Sequence, residues 1–428
     1  MADPRLMSDL KARGLVSQTT GNGELEEHLL GGARTVYCGF DPTAGSLHIG
    51  HLVPLLALKR FQRAGHQPVA LVGGATGLIG DPSFKDQERA LNAPEIVAGW
   101  VDALGTQISA LLGEEARVVN NLDWMEGMTA LAFLRDIGKH FSVNSMIQKE
   151  SVRQRLAREG AGISFTEFSY MLLQSHDFAE LYRRHGCTVQ LGGSDQWGNI
   201  TGGIDLTRRM HGAQVHGMTL PLITRADGNK FGKTEGGTVW LDPELTSPYA
   251  FYQFWLRTED ADVHRFLRYF TFLGIEEIAE LERQDREAEG RPRGQGVLAR
   301  EVTRLIHGEA ALAAAERITE ALFSGDTSAL AAEDYRQLQQ DGLPSSVLPR
   351  DALADQSLTG LLSQAGLAAG GRQVRDALGR KAVFINDRPV GLEQITETEA
   401  CFAPDRARHG RYYLTRLGRR SWHLFEIQ

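Results

Sequence analysis

Residues from about 30 to 240 predict an α/β fold, a mainly parallel sheet covered by helices, on three observations. Short β-like runs alternate with helical stretches over that span. The run 69–72 ends in a glycine turn, Gly73-Gly74, as a buried strand feeding a helix does. The residues best suited to chemistry lie in the turns after Phe40, Val72 and Leu191. In open α/β sheets, ligands sit at the carboxyl ends of strands near the point where strand order reverses. One shared pocket follows from that convergence.

Taken in order, Thr35-Val36-Tyr37-Cys38-Gly39-Phe40 reads as a strand and Asp41-Pro42-Thr43-Ala44-Gly45-Ser46 as a turn. Leu47-His48-Ile49-Gly50-His51 opens a helical pattern through Leu58, Lys59 and Phe61. Pro54 falls inside a helix begun near Ser46, which predicts a local kink, because proline removes a backbone hydrogen bond. Residues 117–121 and 187–192 have strand character. From Ser247 to Ser324 the periodicity is helical, with Pro248 near its opening. Residues 326–355 mix Gly, Pro, Ser and charge and read as a linker with one short helix. A small module follows: a helix carrying Arg372 and Arg375, a strand Ala382-Val383-Phe384-Ile385, and a turn Asn386-Asp387 into Arg388-Pro389-Val390. The expected divisions are 1–246, 247–325, 326–356 and 357–428.

The 428 residues suffice for two or three domains, and 42% hydrophobic with 23% charged residues is the composition of a soluble globular protein. No apolar run reaches the ~18 residues of a membrane span. The N-terminus, Met-Ala-Asp-Pro-Arg, lacks the apolar core of a secretion signal. Cys38, Cys187 and Cys401 are few, odd in number and far apart, which speaks against a disulfide framework and against a zinc site. A cytoplasmic location is expected. Residues 371–428 carry eleven Arg and Lys against seven Asp and Glu, a balance of +4 in a chain of net charge −8, so the remainder carries −12. A basic tail on an acidic body suits a localised nucleic-acid contact.

His48 and His51, three apart, share one face of a helix start, where open backbone N–H groups and the helix dipole favour phosphate. Gly50 between them lets a flat base approach the backbone. Far downstream, Lys230-Phe231-Gly232-Lys233-Thr234 offers two lysines in a glycine-bearing loop, a cationic clamp. Together they suit the splitting of ATP between its α- and β-phosphates. Tyr170, Gln174 and Asp177 project from one helical face, within roughly 60° of each other at ~100° per residue, and suggest a polar pocket lining.

These motifs resemble the class I aminoacyl-tRNA synthetases, and within them the bacterial-type tyrosyl-tRNA synthetases. The resemblance rests on the His-Ile-Gly-His and Lys-Phe-Gly-Lys-Thr signatures. It continues through Tyr37-Cys38-Gly39-Phe40-Asp41-Pro42-Thr43, Gly77-Leu78-Ile79-Gly80-Asp81-Pro82-Ser83, Ser169-Tyr170-Met171-Leu172-Leu173-Gln174 and Gly192-Gly193-Ser194-Asp195-Gln196-Trp197-Gly198-Asn199-Ile200, covering nearly the whole chain. It implies a Rossmann-like catalytic domain (1–246), a helical anticodon-recognition domain (247–325) and a C-terminal S4-like RNA-binding domain (357–428). It also implies homodimers that take L-tyrosine, ATP with Mg2+, and tRNA(Tyr), with no tightly bound metal held by the protein.

The resemblance further implies residue roles. Tyr37 and Asp177 would receive the substrate phenol, and Tyr170, Gln174 and Asp81 its ammonium group, with Gln190 and Gln196 near the carboxylate. A site built around a hydroxyl rejects the analogue lacking it, since its polar groups would be left unpaired. His48, His51, Asp41 and Thr43 would face the phosphates, and Cys38, Gly193 and Asp195 the ribose. Lys230, Lys233, Thr234, Lys85 and Arg89 would close over pyrophosphate. Phe84, where a small residue is expected, bears on the placing of Lys85. In the tail, Arg372, Arg375, Arg380, Lys381, Arg388, Arg416, Arg419 and Arg420 are candidate tRNA phosphate contacts. A tryptophanyl-type enzyme, another His-Ile-Gly-His nucleotidyltransferase and a non-catalytic RNA-binding relative are the competing readings. Asp177, Tyr37 and the tail count against the first two, and the intact His and Lys signatures against the third.

Overall fold

The computed structural model describes residues 2–80, 92–149, 152–153, 156, 163–224, 231–234, 237–290, 292–354 and 356–428, with the side chains of 233 and 234 left aside. The chain divides into two compact units, residues 1–242 with 259–294, and residues 243–258 with 295–428. Among the described residues no helix is long and apolar enough to cross a membrane.

The first unit is built on a six-stranded sheet. Its strands are β1 (Gln18–Thr19), β2 (Thr35–Phe40), β3 (Gln67–Val72), β4 (Arg117–Asn120), β5 (Cys187–Gly193) and β6 (His216–Leu220), in the order β1-β6-β5-β2-β3-β4. All neighbours are parallel except the short β1, which runs antiparallel to β6. β3 is buried from Pro68 to Val72, as a strand covered on both faces must be. From β2 the chain moves outward through β3 and β4, then returns to the other side of β2 for β5 and β6. Strand order therefore reverses between β2 and β5, where Tyr37 pairs with Gln190 and Cys38 with Leu191. A crevice opens beyond the carboxyl ends of these two strands.

The Phe165–His185 helix walls that crevice through Tyr170, Gln174 and Asp177, and the Trp197–His211 helix packs against it. The Phe165–His185 helix starts at a capping box, in which Ser164 Oγ accepts from the Glu167 N–H at 3.2 Å, and stops at Gly186 in the left-handed region. The Trp197–His211 helix ends the same way at Gly212. The helix after β2 spans Leu52–Arg63 and is preceded by a 3-10 turn, Ile49–His51. Pro54 thus lies in the first helical turn, where a backbone N–H has no intrahelical partner to lose. The kink expected from a start near Ser46 has no cause here.

The second unit holds the Pro248–Leu256 helix, opened by Ser247 Oγ accepting from the Ala250 N–H. It also holds most of a long helix, Gly294–Ser324, interrupted at Gly308 (φ 82°), and a five-stranded sheet. After the two-stranded hairpin β7 (Lys233–Thr234) and β8 (Gly237–Thr238) of the first unit, this second sheet comprises β9 to β13. They are β9 (Ser345–Leu348), β10 (Val383–Ile385), β11 (Arg388–Val390), β12 (Tyr412–Leu417) and β13 (Ser421–Ile427), in the order β11-β10-β12-β13-β9. Asn386 and Asp387, both at positive φ, form the two-residue turn between β10 and β11 that the sequence predicts.

Two expectations change. The helices Asp260–Phe270 and Ile275–Glu287 group with the first unit rather than with the helical segment around them. And residues 326–356 are no open linker. Arg317 forks onto buried Asp334, both contacts at 2.7 Å, Thr327 donates to Asp387 Oδ2 at 2.7 Å, and β9 pairs in parallel with β13. One apolar core joins Tyr249, Ile318, Leu330, Tyr335 and Leu338 to Tyr412, Leu414 and Leu424.

Candidate active site

A cavity of about 590 Å³ fills the crevice, lined by β2 and β5, the turns beyond them and the face of the Phe165–His185 helix. At its floor, Asp177 is 2% exposed. Trp124 Nε1 donates to its Oδ1 at 2.9 Å, and Asn121 Nδ2 donates to its Oδ2 at 3.0 Å. Burial pushes the Asp177 carboxyl up to about 7, and these two hydrogen bonds oppose the rise. Tyr37 is equally buried, its ring edge-on to Phe178 at 5.2 Å. Burial first, and then the Asp177 charge, hold its phenol well above the ordinary range. Tyr37 Oη and Gln190 Oε1 are buried without a hydrogen-bond partner among the described residues. Both residues line the cavity, so a ligand there would meet two unsatisfied polar atoms.

From Asp177 a hydrogen-bonded chain runs outward. Asn121 Nδ2 also donates to Thr76 Oγ1 at 3.1 Å, Thr76 donates to Asp41 Oδ1 at 2.7 Å, and Tyr170 donates to Asp41 Oδ2 at 2.7 Å. Asp41, expected among the phosphates, is thus bonded to Thr76 and Tyr170. Gly73 makes room for it, since a Cβ there would stand 2.1 Å from Asp41 Oδ1. A second chain leaves Gln174: Asn199 Nδ2 donates to Gln174 Oε1 at 2.9 Å and Gln196 Oε1 at 3.1 Å, and Gln196 donates to Asp195 at 3.2 Å. The three residues predicted from helical spacing, Tyr170, Gln174 and Asp177, do line one cavity.

The histidine signature is built differently from a helix start. His48 Nδ1 accepts from the Gly50 N–H at 3.0 Å, and His51 Nδ1 accepts from the His48 N–H at 3.2 Å. The two rings stack at 3.9 Å. Because both Nδ1 atoms accept, the proton of each neutral ring is assigned to Nε2. Burial lowers His51 to about 3, with His48 adding to the shift, so His51 is neutral at pH 7. The backbone donors expected to meet phosphate are spent internally: Ile49 N–H on Val239 O at 3.1 Å, Gly50 on the His48 ring, His51 on His48 O at 2.8 Å. Imidazole Nε2–H groups are the donors this turn offers. Gly50 also has a packing reason, since its Cβ would lie 2.7 Å from His48 Cε1.

The lysine signature is tied to this turn. Val239 N–H donates to Gly232 O at 3.2 Å, Ile49 N–H to Val239 O, and Leu241 N–H to Leu47 O at 2.8 Å. The hairpin stem β7–β8 thus hangs from the histidine turn. Lys233 and Thr234 are described as the backbone of β7. Asp81, Phe84, Lys85, Arg89 and Lys230 lie outside the described residues. Thr43, Gly193, Asp195, Gln196 and Cys38 line the cavity, with the Cys38 thiol pushed up to about 12 by burial. In the second unit, Arg372, Arg375, Arg380, Lys381, Arg388, Arg419 and Arg420 are exposed. Arg416 is half-buried, its guanidinium over Phe384 at 4.4 Å and Trp422 at 5.3 Å, so ring packing occupies much of its surface.

Three residues bonded to Asp177 or Asp41 escaped the sequence reading: Thr76, Asn121 and Trp124. The pair Asn120-Asn121 at the carboxyl end of a strand was the available signal. Asn120 accepts from Gly74 and Leu122, and Asn121 from Ala75, so both amides shape the pocket floor.

The family described as tRNA synthetases class I (W and Y) matches residues 31–324. The tyrosine–tRNA ligase of Aliivibrio fischeri (strain MJ11) is 59% identical over 99% of both chains. That of Chromobacterium violaceum is 56% identical over 100% of both. Among solved structures, a C-terminally truncated mitochondrial tyrosyl-tRNA synthetase of Aspergillus nidulans superposes with a TM-score of 0.67 at 30% identity, covering 74% of this chain and 94% of that one.

Proposed function

We infer the division of labour that follows for a chain that belongs to the class I tRNA synthetases (W and Y), among the tyrosine–tRNA ligases. Its reaction joins L-tyrosine to tRNA at the expense of ATP. The observation that carries the residue assignments is the orphaned Tyr37 hydroxyl beside buried Asp177. A substrate phenol between them would donate to the Asp177 carboxylate and accept from Tyr37. Tyr170 and Gln174 would receive the ammonium group, with Asp41 setting the Tyr170 hydroxyl. Asp81 is proposed for the same group, and Gln190 and Gln196 for the carboxylate end.

The carboxylate is ionised at neutral pH, so activation needs no general base. Its oxygen attacks the α-phosphorus, the bond from that phosphorus to the bridging oxygen breaks, and pyrophosphate leaves with the electron pair. Catalysis is then positioning plus stabilisation of growing oxygen charge. His48 and neutral His51 would donate Nε2–H to phosphate oxygens, and Lys230 and Lys233 would neutralise the departing pyrophosphate, with Thr43, Thr234, Lys85 and Arg89 in support. Cys38, Gly193 and Asp195 would meet the ribose. Imidazole N–H donors suit phosphate oxygens and not a cation, so we assign Mg2+ to the phosphates and water. A ribose hydroxyl of the terminal tRNA adenosine then attacks the adenylate carbonyl, releasing AMP.

The exposed arginines of the second unit and its basic tail support tRNA(Tyr) binding there, with an S4-like role for residues 357–428 and anticodon recognition for the helical segment. Homodimerisation is supported by apolar side chains standing in solvent at Leu131, Leu134, Val143 and Phe165. A substrate set of ATP and tRNA points to the cytoplasm. The test is pyrophosphate exchange into ATP with each of the twenty amino acids in turn. Exchange with tyrosine alone, lost in Asp177→Ala, is expected; tryptophan-dependent exchange would overturn the assignment of the pocket.

A further inference from the structure

Phe231 stands two residues before Lys233, and its surroundings are unlike those of a residue on a loose loop. Its ring stacks on Phe270 with centroids 5.4 Å apart and planes at 22°, and meets Phe266 edge-on at 4.8 Å and 63°. Phe266 and Phe270 are buried on the Asp260–Phe270 helix and touch each other at 5.6 Å. The same helix reaches the chain on the other side of the lysine signature, where Arg265 Nη2 donates to Thr224 O at 2.6 Å. Thr224 and Phe231 both line the active-site cavity.

Immediately after Phe231 the backbone is fixed again. Gly232 adopts φ 93°, which L side chains rarely do, and a Cβ there would press on Ile49 Cγ1 at 3.1 Å. Its carbonyl accepts from Val239, whose own carbonyl accepts from Ile49. The signature is therefore held by an aromatic cluster at Phe231 and by a backbone rung to the histidine turn at Gly232. The path of the chain into Lys233 is set by these two attachments. Rings in edge and offset contact hold orientation as well as area, which a flexible aliphatic side chain does less well.

We propose that Phe231, seated on Phe266 and Phe270, is a positioning post for Lys233, so that the Asp260–Phe270 helix sets the geometry of the lysine clamp during adenylate formation. The post acts through Lys233 and has no part in binding tyrosine. This rests on the role given to Lys233 above.

The experiment compares Phe231→Ala, Lys233→Ala and the double variant in the full-length enzyme. It reads the single-turnover rate of adenylate formation and, separately, the tyrosine dissociation constant. Phe231→Ala is expected to slow the rate 10- to 100-fold and to leave the tyrosine constant within twofold, with Phe231→Tyr restoring most of the rate. In the Lys233→Ala background, Phe231→Ala changes the rate less than twofold, because the group it positions is gone. Phe270→Leu, which alters the seat and leaves the cavity lining in place, repeats the pattern more weakly, with folding checked by thermal unfolding. Multiplicative losses in the double variant, or tyrosine affinity falling in step with rate, overturn the post and leave the lysine assignment standing. An unchanged rate in Lys233→Ala overturns the lysine assignment and the post with it.

Discussion

Trp124 and Asp177 are joined by an indole-to-carboxylate hydrogen bond of 2.9 Å at the bottom of the pocket, both groups buried. The bond fixes where the carboxylate points and is one of two that restrain its basicity. Trp124→Phe keeps the aromatic bulk and removes the donor. A hydrogen bond to a charged group contributes about 1.5–3 kcal/mol, so tyrosine should bind roughly 10- to 100-fold more weakly. Equilibrium dialysis with labelled tyrosine checks this; unchanged affinity would mean that Asn121 alone orients the carboxylate.

The Asp177 carboxyl also makes stability depend on pH. Its folded value of about 7 lies above the ordinary 3.8, because burial disfavours the charge. The folded state then holds this proton when the unfolded state has released it. Stability from this group is complete below about 3.8 and is lost as pH rises toward 7. Asp177→Asn removes the titration, so the gain in Tm over wild type should be larger at pH 8 than at pH 5. Calorimetry at the two values decides it, and a gain that shrinks with pH would contradict the sign.

Tyr37→Phe removes the orphaned hydroxyl from the pocket floor. Tyrosine loses one hydrogen bond, while phenylalanine no longer strands a buried polar group. The preference for tyrosine over phenylalanine should fall by about 1–3 kcal/mol, roughly 5- to 150-fold. Pyrophosphate exchange run with each amino acid reads the ratio of kcat/KM directly.

Gly50→Ala puts a methyl group 2.7 Å from the His48 ring, inside contact distance. His48 must leave its stack on His51, and the Gly50 N–H loses its acceptor. Adenylate formation should slow by at least tenfold while the tyrosine dissociation constant holds. Rapid quench of the single turnover separates the two effects. Equal losses in rate and affinity would show the damage reaching the amino-acid pocket.

What the chain reveals when read as a string depends on the reach of each interaction. β2, β3, β4 and β5 fall where short apolar runs predict them, because that signal is local. Tyr170, Gln174 and Asp177 are legible from helical spacing on one helix. Asn121 and Trp124 are not: they meet Asp177 across 56 and 53 positions, through strand pairing that no spacing encodes. The Pro54 kink fails for a related reason. Where a helix begins depends here on imidazole–backbone bonds inside the Ile49–His51 turn, and residue type alone does not fix them. Residues 345–348 read as linker because the stretch around them mixes Gly, Pro, Ser and charge; their partner, β13, comes some eighty residues later.

That late partner bears on anyone who wishes to trim the protein. β9 precedes the tail module in sequence yet edges its sheet, so a chain stopped near residue 356 keeps a strand with nothing to lie against. It also uncovers Tyr335, Leu338 and Ile318, which rest on Tyr412, Leu414 and Leu424. Shortened versions cut at that point should aggregate, and an earlier stop near residue 243 fares no better, because it strips the first unit of its own helices Asp260–Phe270 and Ile275–Glu287.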